Sequence, residues 1–251
     1  MHLEIAVLSR TGGRSVNEDA CGFWSGPGIC FCVLSDGAGG HGGGDVASKI
    51  AVQQILDWFR KSPDCSAGAI TAALRCANDA VVREQQSEDK LASMRATVVV
   101  LAVDFDRELA SWGHLGDSRL YCFRGPDIVV QTSDHSVVQS MVDAGYLQPH
   151  QVRSSPERSK LLKALGDTEE FEPTVEPRPF QVQPDDKFLM CSDGLWEYIT
   201  DDELHGTLQE AATAEEWLRH LESRVIARGR SRQDNYSAMA IWCKPESDSS
   251  A

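Results

Sequence analysis

The sequence predicts a single α+β domain of two sheets with flanking helices, and three observations carry that expectation. Residues 95–133 break into short β-branched or aromatic runs, "RATVVVLAVDF", "LASWGHLG", "SRLYCFRG" and "DIVVQTS", punctuated by Asp, Gly and Pro. Strands this close together favour an antiparallel meander, because parallel neighbours need a long crossover between them. Apolar residues recur at helical spacing on both sides of this block. No internal repeat, low-complexity tract or inter-domain linker divides the 251 residues, enough to bury a sizeable core.

In chain order, residues 3–8 (LEIAVL) and 30–35 (CFCVLS) read as strands. Residues 46–59 then form a helix, with Val46, Ile50, Ile55 and Phe59 near helical period. A second helix spans 67–84, with Ile70, Ala73, Leu74, Ala77 and Val81 on one face. After the meander comes a mixed polar stretch, 136–170: a short helix near 136–144, a mobile excursion "PHQVRSSPERSK" and a turn at Gly166. Strands return at 178–183 and 187–192, helices fill 201–228, and "NYSAMAIWC" makes a last strand. The domain is expected over 1–243, and the tail 244–251 (KPESDSSA) is too polar to pack and is expected to be disordered.

A net charge of −14 argues against nucleic acid or anionic membrane surfaces as partners. No apolar stretch approaches the ~20 residues of a membrane span, and "MHLEIAVLSRTGGR" has an early acid and no leader-like order, so a cytoplasmic location is expected. Of eight cysteines, Cys30, Cys32, Cys122, Cys191 and Cys243 lie in apolar strand-like runs and no C-x-x-C pair occurs. They read as buried free thiols, not as disulfides or zinc ligands.

Gly37, Gly39 and Gly42 spell G-x-G-x-x-G between a strand and a helix, the pattern that cradles pyrophosphate. Asp36, directly before the first glycine, argues against it, since a carboxylate there would repel phosphates, and no Lys-Ser/Thr pair makes a P-loop. A carboxylate suggests a cation instead. "KFLMCSDGLW" repeats the strand-Ser-Asp-Gly arrangement of "CFCVLSDGAG", placing Asp193 where Asp36 stands. Asp234 precedes the last strand, Asp117 occupies a turn between strands, and Glu18 and Asp19 follow Arg14. Any one Asp-Gly is most often a turn or cap residue. Together, acids at neighbouring strand ends repel unless divalent cations neutralise them, and oxygen-only donors select Mg²⁺ or Mn²⁺.

The motifs "RSVNEDA", "LSDGAGGHGGGDVAS", "GHLGDSRLY", "TSDHS", "LLKALGD", "CSDGLWE" and "QDNYSA", in order over nearly the whole chain, resemble the metal-dependent protein phosphatases of the 2C (PPM) family, especially its compact bacterial members. The resemblance implies a four-layer α-β-β-α sandwich of two antiparallel sheets flanked by helices, with a binuclear metal centre at one edge. It implies a serine/threonine phosphatase using two or three Mn²⁺ or Mg²⁺ ions and a metal-bridging hydroxide as nucleophile. Asp36 resembles the bridging carboxylate, Asp193 and Asp234 ligands of one ion, and Glu18 with the Gly37 carbonyl ligands of the other. Asp19 resembles the residue orienting metal-bound water, Asp117 with Asp193 a third metal site, and Arg14 the guanidinium that holds substrate phosphate. Two metals ~3.5–4 Å apart activate water and neutralise phosphoryl charge, so no nucleophilic side chain is needed. None is evident: the sequence has no C-x5-R loop and no G-x-S-x-G elbow.

Ala38 stands where many family members carry a general-acid His; His41, three residues on, is the candidate proton donor, with loop packing as its alternative role. His135 is expected to brace its turn and Asp134 to cap the following helix. Arg95 and Ala96 depart from the family's Gly-Thr-Thr and read as a local backbone change. Residues 137–165 match the family's flap, whose Arg153, Arg158 and Lys160 face either an acidic phosphopeptide or solvent. Implied partners are phosphorylated proteins, including a serine/threonine kinase or its targets, with the chain a monomer. The competing readings are a catalytically inactive phosphoprotein-binding domain of the same fold, and a Gly/Asp-rich calcium module, disfavoured because the unit is not repeated.

Overall fold

The computed structural model describes residues 1–38, 42–168, 171–229 and 233–245. The candidate proton donor His41 and tail residues 246–251 lie outside the described residues. Twelve strands are described: β1 (His2–Arg10), β2 (Asp19–Gly26), β3 (Ile29–Ala38), β4 (Arg95–Ala96), β5 (Val98–Asp104), β6 (Leu109–Leu115), β7 (Arg119–Arg124), β8 (Asp127–Gln131), β9 (Thr174–Val175), β10 (Phe180–Gln181), β11 (Lys187–Cys191) and β12 (Tyr236–Lys244). The helices are α1 (Gly44–Lys61), α2 (Ala67–Gln85), α3 (Val137–Asp143), α4 (Asp193–Trp196), α5 (Asp201–Gln209) and α6 (Ala214–Arg228).

Two antiparallel sheets result. One has the order β1-β12-β11-β7-β8; the other runs β10-β6-β5-β3-β2, with β4 paired to β3 and β9 to β6. Strand periodicity then sorts side chains into three cores. Along β12, Met239, Ile241 and Cys243 face the other sheet, while Ala238, Ala240 and Trp242 face α5 and α6. Along β3, Cys30, Cys32 and Leu34 join the inter-sheet core, and Phe31 and Val33 pack under α1 and α2. Helix pair, sheet, sheet and helix pair therefore stack as the expected α-β-β-α sandwich. These strands are buried on both faces, which is why they read as continuous apolar runs.

One strand, β2, goes unanticipated by the sequence reading, and two element boundaries differ from expectation. β2 (DACGFWSG) carries no clear alternation, being an edge strand whose Phe23 is 47% exposed. Gly22 lets α1 approach it, since a Cβ there would meet Leu56 at 3.1 Å and Val52 at 3.3 Å. The anticipated strand at 178–183 shrinks to β10, and Lys244 belongs to β12 and not to the tail.

Candidate metal centre

Antiparallel pairing brings the predicted acids to one end of the sandwich. Asp19 opens β2 directly opposite Asp36 near the end of β3. Cys191, ending β11, pairs with Arg119, which begins β7, so Asp193 and Asp117 flank the same edge. Asp234 lies just before β12, whose first residue pairs with Arg10 at the end of β1, and Arg14 follows from there. A cleft of about 360 Å³ is lined by Arg14, Glu18, Asp36, Gly37, Asp117, Asp193 and Asp234, together with Thr97, Ser159 and Leu161. Of the predicted described residues only Asp19 sits behind the lining, 6% exposed.

The backbone that presents these acids is held by polar residues which sequence reading missed. Thr97 brackets Asp36: its Oγ1 accepts from Asp36 N–H at 3.0 Å and its own N–H donates to Asp36 O at 2.8 Å. Asn235 Oδ1 accepts from Glu18 N–H at 2.8 Å, and its Nδ2 donates to Thr11 O and Val16 O, each at 2.9 Å. Gly37 has no room for a side chain, as a Cβ would stand 2.1 Å from Gly44 O and 2.7 Å from Glu18 O. The Asp117 carbonyl accepts from Trp196 Nε1 at 2.9 Å.

Crowding shapes the electrostatics. Burial first, then the like charges of Asp19, Asp193 and Asp117, hold the Asp36 carboxyl well above the usual carboxylate range. Burial, then Glu197 and Asp234, pushes Asp193 up to about 7, and burial raises Asp19 to about 6. Asp117 and Glu18 are also raised, chiefly by burial. Asp19 and Asp193 are thus the nearest like charges to Asp36, a repulsion that a divalent cation would offset. Among the described residues no three His, Cys, Asp or Glu form a ready-made metal cage. The donor set nonetheless suits a hard cation: it is all oxygen, it repels itself without one, and buried Asp19 Oδ1 has no partner. On the cleft rim Arg14 Nη2 donates to Asp234 Oδ2 at 2.7 Å, both side chains about half exposed.

Several neighbouring expectations are corrected. Asp134 does not cap α3; Ser136 does, accepting from Gln139 N–H at 3.2 Å. Asp134 instead grips buried Arg119 bidentately at 2.8 and 2.7 Å. The flap is docked, with Val152 buried, and its arginines are engaged. Arg153 donates to Trp196 O at 3.0 Å and Asp201 Oδ1 at 2.7 Å, and Arg158 to Glu197 Oε1 at 2.6 Å. Lys160 pairs with Glu157 in the same segment. Arg95 pairs with Asp167 beside the cleft. His135 braces its turn as expected: Nδ1 accepts from Gly116 N–H at 3.1 Å and the ring stacks on His114 at 4.6 Å. A larger groove of about 760 Å³ lies between β8 and β9–β10 over this His pair, but holds none of the clustered acids. The charged chemistry is in the smaller cleft.

Two antiparallel sheets sandwiched by helices, with carboxylates from both sheets meeting at one edge, define a class of protein that offers an all-oxygen site for hard cations. The description "Protein phosphatase 2C" matches residues 9–233, and the chain belongs to that family. It is 33% identical over 211 residues to the serine/threonine protein phosphatase PstP of Mycobacterium tuberculosis, covering 83% of this chain but only 39% of PstP. The chain thus spans about two-fifths of that relative's length. It is 31% identical to the serine/threonine phosphatase stp of Listeria monocytogenes, covering 86% of each. The catalytic domain of PstP in complex with two manganese ions superposes with a TM-score of 0.82 at 27% identity, covering 97% of this chain and 99% of that one.

Proposed function

We propose that this protein is a metal-dependent serine/threonine protein phosphatase that hydrolyses phosphoserine and phosphothreonine on proteins. The observation that carries the reading is the single cleft into which both sheets deliver Glu18, Asp36, Asp117, Asp193 and Asp234. Asp36 would serve both ions, Asp193 and Asp234 would hold one, and Glu18 with the Gly37 carbonyl would hold the other. Asp117 with Asp193 would hold a third ion more weakly. Manganese is the favoured metal, as the structurally similar PstP domain carries two. When bound, such ions acidify water and neutralise charge on the phosphoryl oxygens.

The chain's own groups supply position. Arg14, at the rim beside Asp234, holds the substrate phosphate through its planar fork. Asp19, fixed behind Asp36, orients water. Ser159 and Leu161 bring the flap to the cleft wall, where it shapes access. His41 is the proposed donor to the leaving hydroxyl.

The substrates are phosphorylated proteins, opposite a serine/threonine kinase, and the chain acts as a monomer. Among the described residues no helix is long and apolar enough to cross a membrane. Eight free cysteines fit a reducing, cytoplasmic setting. Hydrolysis of p-nitrophenyl phosphate and a phosphothreonine peptide with Mn²⁺, abolished by EDTA, is the expected result. Peptide binding with no turnover at any Mn²⁺ concentration would leave the inactive phosphoprotein-binding alternative in its place.

A further inference from the structure

We propose that Ser192 is a positioning residue for the metal set, acting through Asp19. Ser192 follows β11 and occupies the N-cap of α4, where a serine ordinarily spends its oxygen on a first-turn N–H. Its side chain makes no cap bond. The hydroxyl instead donates to Asp19 Oδ2 at 2.9 Å and accepts from Ser237 N–H at 2.9 Å. Ser192 is wholly buried and Asp19 is 6% exposed, so neither bond is traded with bulk water. Behind it the chain of hydroxyls continues: Ser237 Oγ donates to Ser9 Oγ at 2.8 Å, which also accepts from Asn17 Nδ2 at 2.8 Å.

Asp19 belongs to the seven-stranded sheet and Ser192 directly follows a strand of the five-stranded one. The proposed ligands divide the same way, Glu18, Asp36 and Gly37 on one side and Asp193 and Asp234 on the other. Among the described residues no backbone ladder joins the two sheets, so the spacing between the two half-sites depends on side chains such as this pair. Ser192 is also the residue next to Asp193, so its hydroxyl ties the backbone of one half-site to a carboxylate of the other. With Oδ2 anchored, Asp19 keeps a fixed orientation and leaves Oδ1 unpartnered. Partners that orient groups around a metal typically change affinity 10–100-fold when removed.

The inference rests on the metal-dependent reading above. Calorimetric titration with Mn²⁺ of the wild type, Ser192→Ala, Asp19→Asn and the double variant tests it, with thermal melts in EDTA alongside. Expected are about tenfold weaker Mn²⁺ binding in Ser192→Ala, at the low end of that range, and a double variant no weaker than Asp19→Asn alone, because the serine acts through the aspartate. Wild-type Mn²⁺ affinity in Ser192→Ala, or losses that simply add in the double variant, overturns the proposal. Ser192→Cys, similar in shape but with a thiol too weak a donor to replace the hydroxyl, is used instead if the EDTA melt shows the alanine variant unfolded, and unchanged affinity there is equally fatal. A wild type that binds no Mn²⁺ removes the metal reading and this inference together, whereas tight wild-type binding with an indifferent serine removes only the latter.

Discussion

At Asp36 the backbone is pinned before the side chain acts. Thr97 holds it on both sides, Asp19 faces it across the strand pair, and Gly37 behind it tolerates no Cβ. A carboxylate so placed among like charges is where a cation gains most, so Asp36→Asn should abolish phosphatase activity and weaken Mn²⁺ at both high-affinity positions. Unchanged two-site binding by calorimetry would sink the bridging role. Arg14→Ala should mainly raise KM for phosphopeptide. Because Arg14 also occupies Asp234 Oδ2, removing it should not weaken Mn²⁺ binding; a fall in metal affinity with KM unchanged would contradict the phosphate role. The acids were legible in the sequence because strand, carboxylate and glycine are adjacent in the chain. Thr97 and Asn235 were not, since their work is hydrogen bonding to residues far away along it.

Helices α5 and α6 are joined at one carboxylate. Glu203 completes a capping box with Thr200 and also receives Arg228, which donates in addition to Tyr198 O at 2.6 Å. Hydrogen bonds from Arg228 hold the Glu203 carboxyl down at about 2. A depressed carboxylate stabilises the fold above its unfolded value and loses that contribution as pH falls, here between the ordinary glutamate value of 4.5 and about 2. Glu203→Gln should therefore lower stability by about 1 kcal/mol near neutrality, the size of a screened, partly exposed pair, and flatten the melting-temperature profile below pH ~4. Parallel wild-type and variant profiles would refute the linkage. Element positions on strongly patterned segments such as α1 and α2 were readable, whereas β2 was hidden by its glycines and edge exposure. The flap reads as loose from composition alone because prolines, serines and basic residues resemble a solvated loop. Arg153 and Arg158 reverse that by binding α4 and α5 partners remote in sequence, so replacing them should first loosen the flap. The loss should appear as faster amide exchange over Pro149–Ser154.

Over the whole molecule, stability and metal occupancy are one quantity. Carboxylates held above their ordinary range at one edge mean that the metal-free fold carries a repulsive cost, added to a net charge of −14. Mn²⁺ should therefore raise the melting temperature by several degrees, from about 2.7 kcal/mol at a free concentration one-hundredfold above Kd. Ca²⁺-free Na⁺ at equal ionic strength should not reproduce it; an equal shift would reduce the effect to charge screening.

The strand order carries a consequence for how the protein is made. β12 lies between β1 and β11, so β1, made before the other strands, has no neighbour in its sheet until Tyr236–Lys244 has left the ribosome. Every strand of the other sheet lies at or before Gln181, so that sheet can assemble while translation is still under way. Glu18 and Asp36 are then in place early, and Asp193 and Asp234 arrive late. A nascent chain that stops short of β12 holds only half of the proposed centre.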